Sequence, residues 1–160
     1  MPIGAEQTIS QPWIVAAVCQ ALSLRGSERV LEVGTGSGYS TAILSQLATE
    51  VISIERHQAL ADAARKTLDA LGVANVEILV ADGSTGLPTH APFDAIAVHA
   101  TAPSIPKSLA AQLTEAGRLV LPLATKPEET LVLLTRDADT LKRQSLGPCR
   151  FVPLLGTEGF

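Results

Sequence analysis

The segment Val30-Leu-Glu-Val-Gly-Thr-Gly-Ser-Gly-Tyr39 limits the folds open to this chain more than any other. An apolar, β-branched run carrying one acid, Glu32, breaks into three glycines, Gly34, Gly36 and Gly38. The pattern predicts a buried strand, a tight turn and the start of a helix. Such a turn lets a ligand approach backbone N–H groups and a helix N-terminus. The dinucleotide fingerprint is Gly-x-Gly-x-x-Gly. Here the spacing is Glu-x-Gly-x-Gly-x-Gly, with the third glycine one residue early. A carboxylate at that place would repel a pyrophosphate. It suits a ligand carrying positive charge, such as the sulfonium and ammonium of S-adenosylmethionine. Glycine turns in α/β proteins also serve packing alone; the acid and the three glycines together favour ligand binding.

The flanking sequence alternates strands and helices. Ser10 reads as an N-cap with a proline in the first turn, opening a helix to about Leu22 that ends near Gly26. Strands are predicted at Arg29–Val33, Val51–Glu55, Val76–Val80 and Asp94–Val98. Helices are predicted at Tyr39–Leu47, at Gln58–Leu71 with Gly72 as its stop, and at Ile105–Leu113 closed by Gly117. Ala81–Pro92 is a polar loop, and Lys126-Pro-Glu-Glu-Thr130 a solvated, hairpin-like connection. Arg118–Leu121, Thr130–Thr135 and Arg150–Leu154 are later strands. This spacing implies an α/β fold built on a doubly wound, mostly parallel sheet. With 160 residues and no internal repeat, the expectation is one domain over 1–160.

Composition narrows the function. Hydrophobic residues make up 46% and charged residues 18%, a globular balance. The net charge is −4 and no basic run stands out, so there is no electrostatic reason to expect nucleic acid. Aromatic residues are 3% of the chain, too few for a base-stacking platform. No apolar run is long enough to span a membrane, and the N-terminus lacks the form of a signal peptide. Cys19 and Cys149 have no metal-ligand spacing and read as reduced thiols of a cytoplasmic protein. His57, His90 and His99 form no metal set; His57 and His90 read as surface residues. The expectation is no metal and no membrane, with the oligomeric state open.

Ligands of open α/β sheets sit beyond the carboxyl ends of the strands. Glu32, Glu55 and Asp82 fall at or near such ends. Glu55 follows Gly36 by nineteen residues, the offset of an acid that holds a ribose diol. The other reading of Glu55 is a solvated acid closing a strand. Asp82-Gly83 offers an acceptor for an adenine amino group, or a turn-forming Asx residue. Val98-His-Ala-Thr-Ala-Pro103 places His99 and Ala100 beside the expected pocket. No nucleophile elbow is present. Methyl transfer from a sulfonium needs none where the acceptor, such as a carboxylate, is already ionised at neutral pH and attacks the methyl directly. Alignment and desolvation are then the remaining tasks.

In colinear order along nearly the whole chain stand Pro2-Ile-Gly4, Gln7-Thr-Ile-Ser-Gln-Pro12, Leu31-Glu-Val-Gly-Thr-Gly-Ser-Gly-Tyr39, Ile54-Glu-Arg56, Asp82-Gly83, Ala91-Pro-Phe-Asp94, Ala102-Pro-Ser-Ile-Pro106, Gln112-Leu113, Gly117-Arg-Leu-Val120 and Arg150-Phe-Val-Pro-Leu154. This set resembles the protein-L-isoaspartate O-methyltransferase family. The resemblance implies a class I, Rossmann-like methyltransferase sheet and S-adenosylmethionine as cofactor. It implies methyl transfer to the α-carboxylate of L-isoaspartyl residues in damaged proteins or peptides. The ester then cyclises to a succinimide that opens partly to aspartate. By position, Thr8 and Ile9 would help cover the cofactor. Glu32, Gly34, Gly36 and Gly38 would hold its methionine part, Glu55 the ribose, and Asp82 with Gly83 the adenine, with Thr35 and Arg56 also binding the cofactor. Ser10, as the catalytic residue, would contact the acceptor carboxylate, with His99 and Ala100 on the substrate side. Read from the residues alone, Ser10 is a helix cap, and one residue can serve both ways.

Some positions depart from the family's pattern. The helical segment usual before Pro-Ile-Gly is not in this chain, which predicts a more open site around Gln7–Trp13 or one sealed by a second chain. Ala81 stands where glycine is frequent, Leu87 where tryptophan is usual, and His99 where threonine or glycine is common. These departures touch the acceptor more than the cofactor. They keep two alternatives open: a specialised carboxyl methyltransferase of a particular peptide or metabolite, and a weakly active cofactor-binding module that works through a partner.

Overall fold

The computed structural model describes residues 2–4, 7–8 and 11–160, with side chains described from residue 11 onward. Two short strands, β1 (Pro2–Gly4) and β2 (Gln7–Thr8), pair antiparallel. Helix α1 (Pro12–Leu22) then leads into β3 (Arg29–Val33), α2 (Tyr39–Leu47), β4 (Glu50–Glu55), α3 (Gln58–Ala70) and β5 (Val76–Val80). After a 3-10 turn at Gly83–Thr85 come β6 (Phe93–Val98), α4 (Lys107–Ala111), β7 (Leu113–Leu123), β8 (Thr130–Asp137) and β9 (Thr140–Pro148).

The large sheet has the order β5-β4-β3-β6-β7-β8-β9. The first five strands run parallel, and β8 is antiparallel to both neighbours. The chain winds outward from β3 through β4 to β5, then returns to the other side of β3 with β6. The C-terminal ends of β3 and β6 therefore form the switch point, where open α/β sheets bind ligands.

Alternation along the strands assigns the two faces. Val30 and Val51 lie under α1 and α2, with Ile14, Val15, Val18, Leu22 and Leu44 as the covering side chains. Ala61, Ala64 and Leu68 of α3 pack with Ile78 and Ala42 at the same side. Leu31, Val33, Ile52, Ile54, Ile96 and Val98 point to the opposite face, closed by Leu109 of α4 and by Leu154. Parallel strands buried on both faces read as continuous apolar runs, which is why β3, β4 and β6 are recognisable in sequence.

Strands β1 and β2 are not in the sequence expectation, β7 begins at Leu113 and not at Arg118, and further elements differ as well. The residue in capping position of α1 is Gln11, which makes no side-chain cap bond; Ser10 lies outside the described residues, as does Ile9. Helix α4 spans Lys107–Ala111, because Pro106 sits at its cap and Leu113 already belongs to β7. Arg150–Leu154 is an irregular segment touching the sheet through one bridge, Thr101 to Pro153. The strand beside it is β9, whose residues Lys142, Arg143, Gln144 and Ser145 are exposed. An edge strand with one neighbour and a polar outer surface lacks the apolar alternation that marks a strand in sequence.

Candidate active site

The glycine turn follows β3 directly. The Gly34 N–H donates to the Ile54 carbonyl at 2.8 Å, and the Gly38 N–H closes the turn on the Thr35 carbonyl at 2.9 Å. Gly34 has φ of +96°, and a Cβ there would stand 3.4 Å from the His99 Cβ. Gly38 has φ of +82°, and its missing Cβ lets α3 approach, with the Ala64 Cβ 3.3 Å from where it would be. Gly34 thus serves the ligand end of β3, and Gly38 serves helix packing.

Glu55 closes β4 and is 5% exposed. One of its oxygens, Oε2, accepts the Gly36 N–H at 2.9 Å, and Oε1 accepts the His57 N–H at 3.0 Å. Each carboxylate oxygen has a second lone pair, so two acceptor sites remain for a diol. Glu55 thereby ties the glycine turn to the start of α3 and still lines the cavity.

Glu32 is placed differently from the expectation. It shares a sheet face with Val30, under α2, and is fully buried outside the cavity lining. Its Oε2 accepts the Thr41 hydroxyl at 2.5 Å and the Ser53 hydroxyl at 2.6 Å. Since Ser53 spends its proton on Glu32, Thr35 donates to Ser53 at 2.6 Å. Ala97 is the register partner of Glu32, and His99, two residues further on, falls on the same face. The His99 Nε2 lies 3.1 Å from Glu32 Oε1 and 2.9 Å from the Ser40 hydroxyl. A buried carboxylate with three partners is satisfied. It holds the turn and His99 from behind.

Asp82 also stands outside the cavity lining, while Gly83 lies within it. Asp82 caps the 3-10 turn by accepting the Ser84 N–H at 2.9 Å, so the Asx-turn reading holds. Its second oxygen accepts the Thr157 N–H at 2.8 Å. Burial alone would raise this carboxyl; the Thr157 and Ser84 bonds outweigh it and hold the group down to about 2. The Glu158 N–H donates to the Ser84 hydroxyl at 3.0 Å, and Glu158 itself accepts from Ser108 at the start of α4. The C-terminal residues are thus anchored across the β5 end of the sheet.

These groups frame a cavity of about 750 Å³ at the switch point, a size ordinary for a small-molecule site. Gly34, Thr35, Gly36, Glu55, Arg56 and Gly83 line it, as do His99 and Ala100. Thr8 belongs to β2, and its side chain, like Ile9 and Ser10, is outside what the structure describes. Trp13, Tyr39 and Ser40 line the cavity too, as does His57, which the sequence predicts at the surface. The opposite wall is the segment Pro148–Leu155. It is stitched down by Thr101, whose N–H donates to the Val152 carbonyl and whose carbonyl accepts the Leu154 N–H, both at 2.8 Å. Glu129 adds a clamp, accepting the Thr101 hydroxyl at 2.8 Å and the Phe151 N–H at 2.9 Å. Sequence reasoning missed Glu129, because a lone acid before a strand carries no pattern. The run Arg150-Phe-Val-Pro-Leu154 is legible as a motif, but its apolar residues read as a strand and not as a wall.

The residues fit S-adenosylmethionine: a glycine turn whose bare backbone a ligand can approach, a carboxylate with acceptors to spare at the ribose offset, and buried negative charge behind the end that would meet a cation. Comparison with known proteins agrees. The family model for protein-L-isoaspartate (D-aspartate) O-methyltransferase matches residues 1–159. The chain belongs to the protein-L-isoaspartate (D-aspartate) O-methyltransferase family. A protein-L-isoaspartate O-methyltransferase of Syntrophus aciditrophicus is 53% identical over all of this chain and 75% of its own length. One of Trichlorobacter lovleyi is 52% identical over all of this chain and 74% of its own. A solved protein-L-isoaspartate O-methyltransferase superposes with a TM-score of 0.88 at 28% identity, covering 99% of this chain. This chain spans about half of that one, 51%. A β-aspartate methyltransferase of Plasmodium falciparum, solved with S-adenosyl-L-homocysteine, superposes with a TM-score of 0.81 at 23% identity, covering 97% of this chain and 79% of that one. Family members and class I methyltransferases share this sheet, so the Rossmann-like fold expected from the glycine turn is the fold observed.

Proposed function

We propose that residues 1–160 act as one methyltransferase domain that esterifies the α-carboxylate of L-isoaspartyl residues in damaged proteins and peptides. The observation that carries this reading is the switch-point cavity, bounded by the glycine turn and Glu55, in a chain matched by the family model over 1–159. S-adenosylmethionine, when bound, supplies the electrophilic methyl group. The turn at Gly34–Gly36 and Glu55 fix its position; Gly83 and Ile54 form the floor toward β5.

A carboxylate and a sulfonium neutralise one another as the methyl moves, so a site that sheds water favours the reaction over bulk solvent. The Pro148–Leu155 wall, held by Thr101 and Glu129, excludes water from that side and orients the acceptor. No general base is required. Ser10 aligns the acceptor carboxylate, Thr8 and Ile9 cover the cofactor, and Ala100 borders the acceptor. In this reading the protein works in the cytoplasm on isoaspartyl proteins, with neither nucleic acid nor membrane as a partner. Among the described residues no helix is long and apolar enough to cross a membrane.

The test is a pair of peptides, one with L-isoaspartate and its twin with aspartate, assayed with methyl-labelled cofactor. Label released by base from the isoaspartyl peptide alone supports the proposal. Turnover of neither peptide, with methylation of another carboxylate, gives the specialised enzyme instead. Cofactor binding without turnover of any acid gives the partner-dependent module. Ser10→Ala should lower turnover far more than affinity for S-adenosylhomocysteine. Full turnover with a lower melting temperature would leave Ser10 with a stabilising role only.

A further inference from the structure

The geometry points to His99 as the group that holds the α-ammonium of the cofactor, with Glu32 as its positioning residue. This rests on the proposal that the cavity binds S-adenosylmethionine, and it moves His99 from the acceptor side to the cofactor side. An ionised carboxylate is acceptor-only, so the contact between Glu32 Oε1 and His99 Nε2 at 3.1 Å requires the proton on Nε2. Ser40 stands 2.9 Å from the same nitrogen as a second acceptor. In the neutral ring, Nδ1 then carries a lone pair. Among the described residues both ring hydrogen bonds of His99 run through Nε2. His99 lines the cavity, with Nδ1 as the ring nitrogen not engaged by Glu32 or Ser40.

The order of strands gives the position. Glu55, the ribose acceptor, ends β4; His99 follows β6, two strands away in the order β4-β3-β6. Two spacings are roughly 10 Å, comparable to the reach from the ribose diol to the amino-acid end of an extended cofactor. Gly34, lying between them, has no side chain to block that path. An ammonium at Nδ1 would feel the buried Glu32 charge through the imidazole, as a carboxylate–histidine pair polarises toward a cation. A carboxylate fully buried behind His99 thereby serves a positively charged ligand without touching it.

The experiment is calorimetric binding of S-adenosylhomocysteine and of its analogue with hydrogen in place of the α-amino group. The proteins are the wild type, His99→Gln and His99→Asn. Glutamine keeps a donor to Glu32 but offers nothing at Nδ1; asparagine puts its amide oxygen near Nδ1 and loses the Glu32 contact. The wild type should prefer S-adenosylhomocysteine by about tenfold or more, the scale of a charge-assisted hydrogen bond. His99→Gln should erase that preference and His99→Asn should retain part of it. If the wild type binds S-adenosylhomocysteine without preferring it, or His99→Gln keeps the preference, His99 is not the ammonium ligand and the cofactor reading stands. If the wild type binds neither compound, the cofactor reading itself fails. Nitrogen chemical shifts of His99 in the unmodified protein check the same point without a variant. Nδ1 should move with S-adenosylhomocysteine and stay still with the des-amino analogue. Equal movement with both would overturn the assignment.

Discussion

Replacing Asp82 with asparagine should loosen the C-terminal anchor, with a size and pH dependence that follow from its contacts. The native carboxylate accepts the Ser84 and Thr157 N–H groups, one on each oxygen. The amide of Asp82→Asn would keep one acceptor and turn an N–H donor toward the other N–H. The carboxyl titrates near 3.8 when unperturbed and near 2 in the folded protein. A gap of this size corresponds to at most about 2.4 kcal/mol, at about 1.36 per tenfold change in proton affinity. Asp82 is part-exposed, and solvent screening brings its contribution to on the order of 1 kcal/mol. The folded-state value is depressed, so this stability is present above 3.8 and lost as the pH falls toward 2. The assay is urea unfolding of wild type and Asp82→Asn from pH 7 to pH 3. At neutral pH the variant should be weaker by on the order of 1 kcal/mol, a melting drop of roughly 2–4 °C. The gap should narrow by roughly half at pH 3. In the variant the Thr157 amide should exchange faster. A gap that is the same at pH 7 and pH 3, or absent at pH 7, would refute the reasoning.

Glu55→Ala should weaken S-adenosylhomocysteine binding by about 1–3 kcal/mol, because it removes the diol acceptors and frees the Gly36 N–H; unchanged affinity by calorimetry would remove Glu55 from the site. Gly83→Ala should cost about 1–3 kcal/mol in thermal unfolding, since its Cβ would lie 2.5 Å from Cγ1 of buried Val33, and it should also lower cofactor affinity. Burial first, and the Glu129 charge second, push the Cys149 thiol up to about 11. At pH 8 iodoacetamide should therefore label it more slowly than an unstructured cysteine, and still more slowly with S-adenosylhomocysteine in the cavity that it lines.

The strands β3, β4 and β6, the glycine turn and the ribose offset of Glu55 were readable without coordinates, because each is set by residues near in sequence: apolar runs, φ values suited to glycine, and a fixed strand-helix-strand length. The family resemblance read from short motifs was likewise sufficient to name the fold. Where Glu32 points was not readable. Its position beside the glycines suggested contact with a cation, but alternation along β3 turns it under α2, and only pairing with β4 and β6 brings Ser53 and His99 to it. Asp82 reads as a ligand acid or as a turn until Thr157, seventy-five residues away, is seen on its second oxygen. Glu129 and the irregular Phe151–Leu154 wall depend on Thr101 in the same way. Sequence determines what neighbouring residues can do by conformation and period. Which side chain satisfies a buried charge, and which wall closes a cavity, is decided when distant segments share one core, since only there must each polar group find its partner away from water.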